Sequence, residues 1–464
     1  MTRLVRSRTW WCATVLAFAW TAAAQQAPFE LQVTETSRGV LEAGARADLM
    51  VFSATGRRLA YPQRRREGWR VIVDGQPQAD YPWILPLTLV FSADGSRLAY
   101  VVQRDTEMAL IVDGQVHATH AEIARPVFSR DGRRMAYAAR PAADSPRWTV
   151  YVDGKAEGQY DLVIPRSFVF SPDGSHLGYA VQRGDQRFYV LDGQEGPGFN
   201  EVSLLEFSAN SQRSGYLGRR GGIQTVMIDG KEFASHERVG ALALSPDGNR
   251  VAYAAASGKS MFVVVDGKHG RSYDSVGPPI FSPDSTRVAY FASMGRSIMP
   301  VVDDQEGIPF DRPTGERSTL LLFSGNSRRV AYVSFDGRKQ SVVVDGKAGR
   351  EYDFIGTVLM SHDGSTVVYA AKDFSRPRPD VLVINERELP GPGFIAISPD
   401  GRRVAHVDIR GASAVLMVDE VEGPTYDGFP LGSRLVFEGN DLFVGIGVRR
   451  NELLLIEARI VPRP

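Results

Sequence analysis

Few side chains in this 464-residue sequence stand at spacings that could do chemistry. His117-Ala-Thr-His120-Ala-Glu122 is the one histidine pair at metal-ligand spacing, but a metal site needs a third ligand and a supporting shell, and neither is near in sequence. Glu206 is the exceptional acid among short apolar runs such as Leu87–Phe91, Gly240–Leu244 and Leu320–Phe323. A single carboxylate cannot perform paired acid–base work. The acidic group Asp303-Asp304-Gln305-Glu306 stands where neighbouring segments carry an Asp-Gly-Lys turn, and it reads as that turn. The many Asp-Gly dipeptides lack the alternating acids of a calcium loop. They also lack the Thr-Trp pair of a sialidase Asp-box. No G-x-S-x-G elbow, H-E-x-x-H helix, phosphate loop or G-x-G-x-x-G turn is present. The expectation is therefore no catalytic residue, no metal and no cofactor.

One pattern favours binding instead. Arg64, Arg65, Arg66, Arg183, Arg187, Arg219, Arg220, Arg296, Arg338 and Lys339 fall in short segments where basic residues outnumber acids. Lys+Arg and Asp+Glu both number 54, so this enrichment is a segregation of charge within a neutral chain. Neutrality argues against a duplex-binding protein. A local basic face would attract an acidic protein or polymer.

The elements that hold these segments repeat. Phe-Ser-x-Asp-Gly-x-Arg-Val-Ala-Tyr begins at Phe52, Phe91, Phe128, Phe170, Phe207, Leu244, Phe281, Phe323, Met360 and Ile397, with a worn copy at Phe437, at spacings of 37 to 42 residues. About twenty residues later comes Val-Val-Val-Asp-Gly-Lys, its Asp at 74, 113, 153, 192, 229, 266, 303, 345 and 419, lapsing once to Asn385-Glu386. A third element is an aromatic followed by Asp or Asn, as in Tyr160-Asp161, Phe199-Asn200, Tyr273-Asp274, Tyr352-Asp353 and Tyr426-Asp427. Ser-Pro-Asp-Gly suits a type I turn, and Asp-Gly a tight hairpin. Between the turns, Arg287–Phe291 alternates polar and apolar residues, and Met261–Val265 is a β-branched run that demands burial on both faces. The segment around Tyr273-Asp274 is taken as the short outer strand. Four strands and four turns fill the repeat length.

A four-stranded sheet that is apolar on both faces must be covered by its siblings, which predicts an all-β propeller of about 10–11 blades, as one large ring or two smaller ones. The longer spacings flank Pro141–Pro146 and Arg312–Arg317, either of which suits a break between rings. The last copy ends without an outer strand, and Phe29–Thr36 alternates suitably to supply it and tie the ring shut.

The Phe-Ser-Pro-Asp-Gly…Ala-Tyr segments resemble the WD40-like, Pro-Asp-type propeller repeats of bacterial TolB-like proteins, over about residues 50–460. The resemblance implies a periplasmic propeller and says little about activity. Two departures stand out: the separate α/β domain of TolB-like proteins has no counterpart here, and the copies exceed the usual number.

Residues 1–24 read as a cleaved signal peptide: Arg3, Arg6 and Arg8, an apolar run from Trp10 to Trp20 too short to span a bilayer, then Ala22-Ala23-Ala24. Cys12, the single cysteine, lies inside it, so the exported chain would carry no disulfide. Residues 25–50 follow as an N-terminal segment and 51–464 as the repeats. The expectation is a periplasmic or secreted, non-catalytic scaffold holding a protein or acidic envelope polymer on a loop face, with no nucleic acid and no transmembrane segment. The alternative is a propeller enzyme, a glycosidase or lyase acting on an envelope polysaccharide with acids drawn from loops.

Overall fold

The computed structural model describes residues 29–203, 205–312 and 320–463; the signal peptide expected at 1–24 lies outside them. The chain forms eleven antiparallel sheets, one per repeat, closed into a single ring with almost no helix.

The sixth blade shows how one repeat becomes one sheet. Its inner strand Arg238–Leu244 pairs with Val251–Ser257, which pairs with Ser260–Val265, which pairs with Lys268–His269. The turn after the inner strand is closed by the Gly248 N–H on the Ser245 carbonyl at 2.9 Å. Asp266 then takes φ +52°, a left-handed conformation that Asp tolerates better than most residues. The outer strand Lys268–His269 starts directly after this turn, and Tyr273 beyond it adds an isolated bridge to Met261. Asp274 has already crossed to the seventh blade, where its N–H donates to the Ser293 carbonyl. The outer strand therefore lies earlier than the Tyr-Asp pair suggests, because pairing begins at the Asp-Gly turn and the aromatic only terminates it.

Burial follows the pattern of the second and third strands. Ala252, Tyr253, Ala254, Ala255, Val263 and Val264 are all at most 2% exposed. Apolar clusters then join neighbouring blades in succession: first to second through Trp69, Ile84 and Tyr100, second to third through Leu110, Ile123 and Tyr137, and onward around the ring. Between the seventh and eighth blades the join is aromatic, with Phe291, Phe310 and Tyr332 within 6.1 Å of one another. This succession is why one ring forms and not two. The Pro141–Pro146 segment is no break, since it connects Met135–Arg140 to Trp148–Val152 inside the third blade.

Closure occurs in the last blade. Its inner, second and third strands are Val436–Phe437, Leu442–Arg449 and Glu452–Pro462, and Phe29–Val40 pairs along the third as the outer strand. Phe29 is 3% exposed and packs in the cluster with Leu416, Ala458 and Ile460. Arg57 of the first blade completes the join through Glu438 at 2.5 Å and Glu457 at 2.9 Å. No helix of the described residues is long and apolar enough to cross a membrane.

Removing residues 29–40 opens the ring and strips a buried Phe and its partners from one cluster, at a cost of the order of 5 kcal/mol. Thermal unfolding followed by circular dichroism is expected to show a lowered and broadened transition; an unchanged sharp midpoint would contradict closure by this strand.

Candidate binding surface

The repeated carboxylates are spent on architecture. In the sixth blade, Asp266 accepts the Val251 N–H on one oxygen at 3.0 Å and the Arg250 Nε on the other at 2.8 Å. The same guanidinium donates to the Ser285 and Thr286 carbonyls of the seventh blade and lies 5.3 Å from the centre of the Phe281 ring. Arg58–Asp74, Arg97–Asp113, Arg134–Asp153 and Arg287–Asp303 repeat the unit, each over the next blade's Phe. Asp303 is thus an ordinary turn residue despite the acids that follow it. In the Ser-x-Asp turns, the serine hydroxyl and two-residue-distant N–H bonded to Asp284 hold its carboxyl down at about 2.

The Asp after the aromatic has a different duty. Asp161, Asp274 and Asp353 each accept a backbone N–H from the turn between second and third strands of the following blade, at Gly184, Gly295 and Phe374, within 2.8 Å. The aromatic before it reaches the same neighbour: Tyr273 donates to Glu306, Tyr352 to Glu388 and Tyr426 to Glu35, each within 2.8 Å. These residues pin blade to blade and leave no ring of free carboxylates.

The histidine pair is also absorbed by packing. His117 and His120 lie on the outer strand Gln115–His120 against Tyr137, and His120 also against Tyr151 at 4.8 Å. Burial lowers the pKa of both. Glu122 is held by Arg140, and among the described residues no three His, Cys, Asp or Glu side chains gather as a metal site. Glu206 lies on the inner strand of the fifth blade, accessible to solvent yet hemmed in by protein, which lifts its carboxyl above the ordinary range.

Sequence reasoning passed over the tenth blade. Where eight blades bury a tyrosine from Ala-Tyr or Gly-Tyr, this one buries His406, 1% exposed, with its Nδ1 unpartnered among the described residues. Burial pushes the imidazole down to about 4. Two residues on, Asp408 is 3% exposed and bound by Arg410, which also bonds Glu422, both at 2.6 Å. The signal was visible as Val404-Ala-His-Val, a histidine in the tyrosine position.

The basic segments connect second to third strands, so antiparallel topology brings them all to one face of the ring. Part of their charge is neutralised there. Arg65 lies 3.7 Å from Glu42, Arg183 pairs with Glu195 and Arg219 with Glu201, while Arg220 is held by the Gly198 carbonyl and the Phe199 ring. Arg64, Arg66, Arg187, Arg296, Arg338 and Lys339 make no ion pair among the described residues, and of these only Arg187 and Lys339 are half-buried. The sequence placed the charges but not their neutralisation, because the partner acids lie on other strands.

No family model matches the chain, and no curated protein matches it. Among solved structures, the chain is similar to a eukaryotic initiation factor (14% identity, 79% of this chain and 98% of that one, TM-score 0.40). It is also similar to TolB from Acinetobacter baumannii (13%, 62% and 82%, 0.25) and to the β-propeller domain of the Trilobed protease from Pyrococcus furiosus (14%, 55% and 92%, 0.27).

Two outcomes follow from these contacts. Arg250→Met is expected to cost about 1–2 kcal/mol through lost hydrogen bonds and ring contact, whereas the exposed Arg402→Met changes stability by less than about 0.5, both read by denaturant unfolding. The second concerns acid. His406 binds its proton more weakly folded than unfolded, so its contribution is intact above the unfolded pKa near 6.5 and is lost as pH falls toward 4, by about 3 kcal/mol. His406→Tyr removes that term, so the stability difference between variant and parent should widen between pH 6.5 and 4; a constant difference would contradict the burial.

Proposed function

We propose that the protein is a non-catalytic binding propeller of the bacterial cell envelope, of the WD40-like TolB type, which holds a protein or acidic envelope polymer on the face formed by the second-to-third-strand turns. The supporting observation is the contrast in charge use. The Arg–Asp pairs at the other turns are consumed within and between blades, whereas Arg64, Arg66, Arg296 and Arg338 stand exposed on this face and make no ion pair among the described residues. Unpaired cations in solvent raise the rate and specificity of encounter with an acidic partner more than they stabilise the fold. The export signal read at residues 1–24 and the Ser-Pro-Asp-Gly repeats support the envelope and the family.

The reading is tested on an immobilised acidic polysaccharide such as alginate and on bacterial envelope extract, at low and raised salt. Replacing Arg64, Arg66, Arg296 and Arg338 together by Gln is expected to weaken retention roughly tenfold at low salt, and raised salt should release the parent. Retention indifferent to both would overturn the proposed face. Cleavage of the polysaccharide by the parent would favour the enzyme reading instead.

A further inference from the structure

A recess on the channel side of the third blade separates this arc from the rest of the ring. Inner strands pair on one edge only, so their free edges face the axis. In the third blade the two inner-strand pieces Glu122–Ile123 and Val127–Phe128 are joined by Ala124-Arg125-Pro126. The blades on either side use two residues more: Leu85-Pro86-Leu87-Thr88-Leu89 and Ile164-Pro165-Arg166-Ser167-Phe168. Each insertion is stabilised alike. A hydroxyl replaces the missing strand acceptor, the Val101 N–H donating to Thr88 Oγ1 at 2.9 Å and the Ala180 N–H to Ser167 Oγ at 3.0 Å. A short segment between two bulging neighbours leaves a hollow.

The hollow has a volume of about 420 Å³ and is lined by Leu87, Ala138, Trp148 and Ile164 together with Arg125 and Arg166. That is the scale and the mainly apolar character of a small-molecule site. No Asp or Glu lines it, and neither arginine makes an ion pair or side-chain hydrogen bond among the described residues. Arg166 holds φ +61°, a conformation that glycine adopts freely and a long side chain rarely does. The equivalent position in the second blade is Leu87, 70% exposed, with no positive φ. Apolar walls carrying two uncompensated cations are complementary to a molecule with an apolar body and one negative group.

We infer that this recess binds a small amphipathic anion, its hydrocarbon against Trp148, Ala138 and Ile164 and its carboxylate, or a group of like charge, on Arg125 and Arg166. The site opens along the free edges of the inner strands and reaches the second-to-third-strand turn of the third blade at Trp148, whose ring lies 5.4 Å from the Arg140 guanidinium.

Isothermal titration of the full chain with decanoate, 1-decanol and decyltrimethylammonium separates shape from charge. One decanoate per chain is expected, bound more tightly than the cation. Arg125→Gln with Arg166→Gly should weaken decanoate roughly tenfold or more while moving decanol by less than about threefold, since only the charged hydrogen bonds are lost. Arg166→Gly relieves the backbone and so is expected to leave the thermal midpoint level or raised, which distinguishes lost binding from lost folding. Ala124→Trp should fill the hollow and abolish both ligands. Absence of saturable decanoate binding, equal affinity for the cation, or affinity unmoved by these substitutions would overturn the assignment.

Discussion

The ring depends on one repeated contact, an arginine that belongs to three partners at once. It neutralises the Asp of its own blade's third-strand turn, donates to backbone carbonyls at the first turn of the next blade, and covers that blade's Phe. None of these alone contributes much near a surface. Together they couple the two turns of a blade to its neighbour, and the coupling recurs around the ring. Where the arginine is absent the geometry survives in other chemistry. His176 bonds Asp192 in the fourth blade, and in the ninth Thr366 donates to the Gly401 carbonyl while Asn385 accepts the Val367 N–H. At the closing join Arg403 pairs with Asp419 and covers Phe29 of the N-terminal outer strand in place of an inner-strand Phe.

Because the repeated polar residues are committed in this way, the positions free for function are those that break the repeat. Three such departures are visible: the loop-face arginines that make no ion pair among the described residues, the buried His406 and Asp408 of the tenth blade with the half-exposed Arg410, and the lengthened inner strands of the second and fourth blades. The first suits a large acidic partner and the third a small ligand. The second replaces a tyrosine whose ring elsewhere packs edge to face against the preceding blade, as Tyr179 does on Tyr160 and Tyr369 on Tyr352. It exchanges that ring for a buried imidazole whose Nδ1 has no hydrogen-bond partner among the described residues.

Much of this architecture was legible in the sequence, for physical reasons that can be named. The turns announce themselves because Asp-Gly and Ser-Pro-Asp-Gly satisfy their own backbone, and Val263 and Val264 announce burial on both faces. The recurring Asp after Tyr could be weighed as a pin from its repetition alone. Its partner could not be named, since the Gly295 N–H that bonds Asp274 lies in another blade. Glu195 and Glu201 neutralise Arg183 and Arg219 from other strands of the same blade, a pairing that sequence separation does not reveal. The break expected near Pro141–Pro146 is an elongated hairpin turn, which spacing alone does not distinguish from an inter-blade connection. The recess was hidden because it depends on a difference of two residues between three successive inner strands, meaningful only once they stand side by side.

The central claim is that no blade is stable except against its siblings in a closed ring. Amide hydrogen exchange of the intact chain under conditions of slow opening tests it most directly. Third-strand amides of the third, sixth and tenth blades, including those of Val150, Val263 and Leu416, are expected to exchange with one common opening free energy. Separate opening energies for separate groups of blades, as expected of a linear array of quasi-independent repeats, would contradict it.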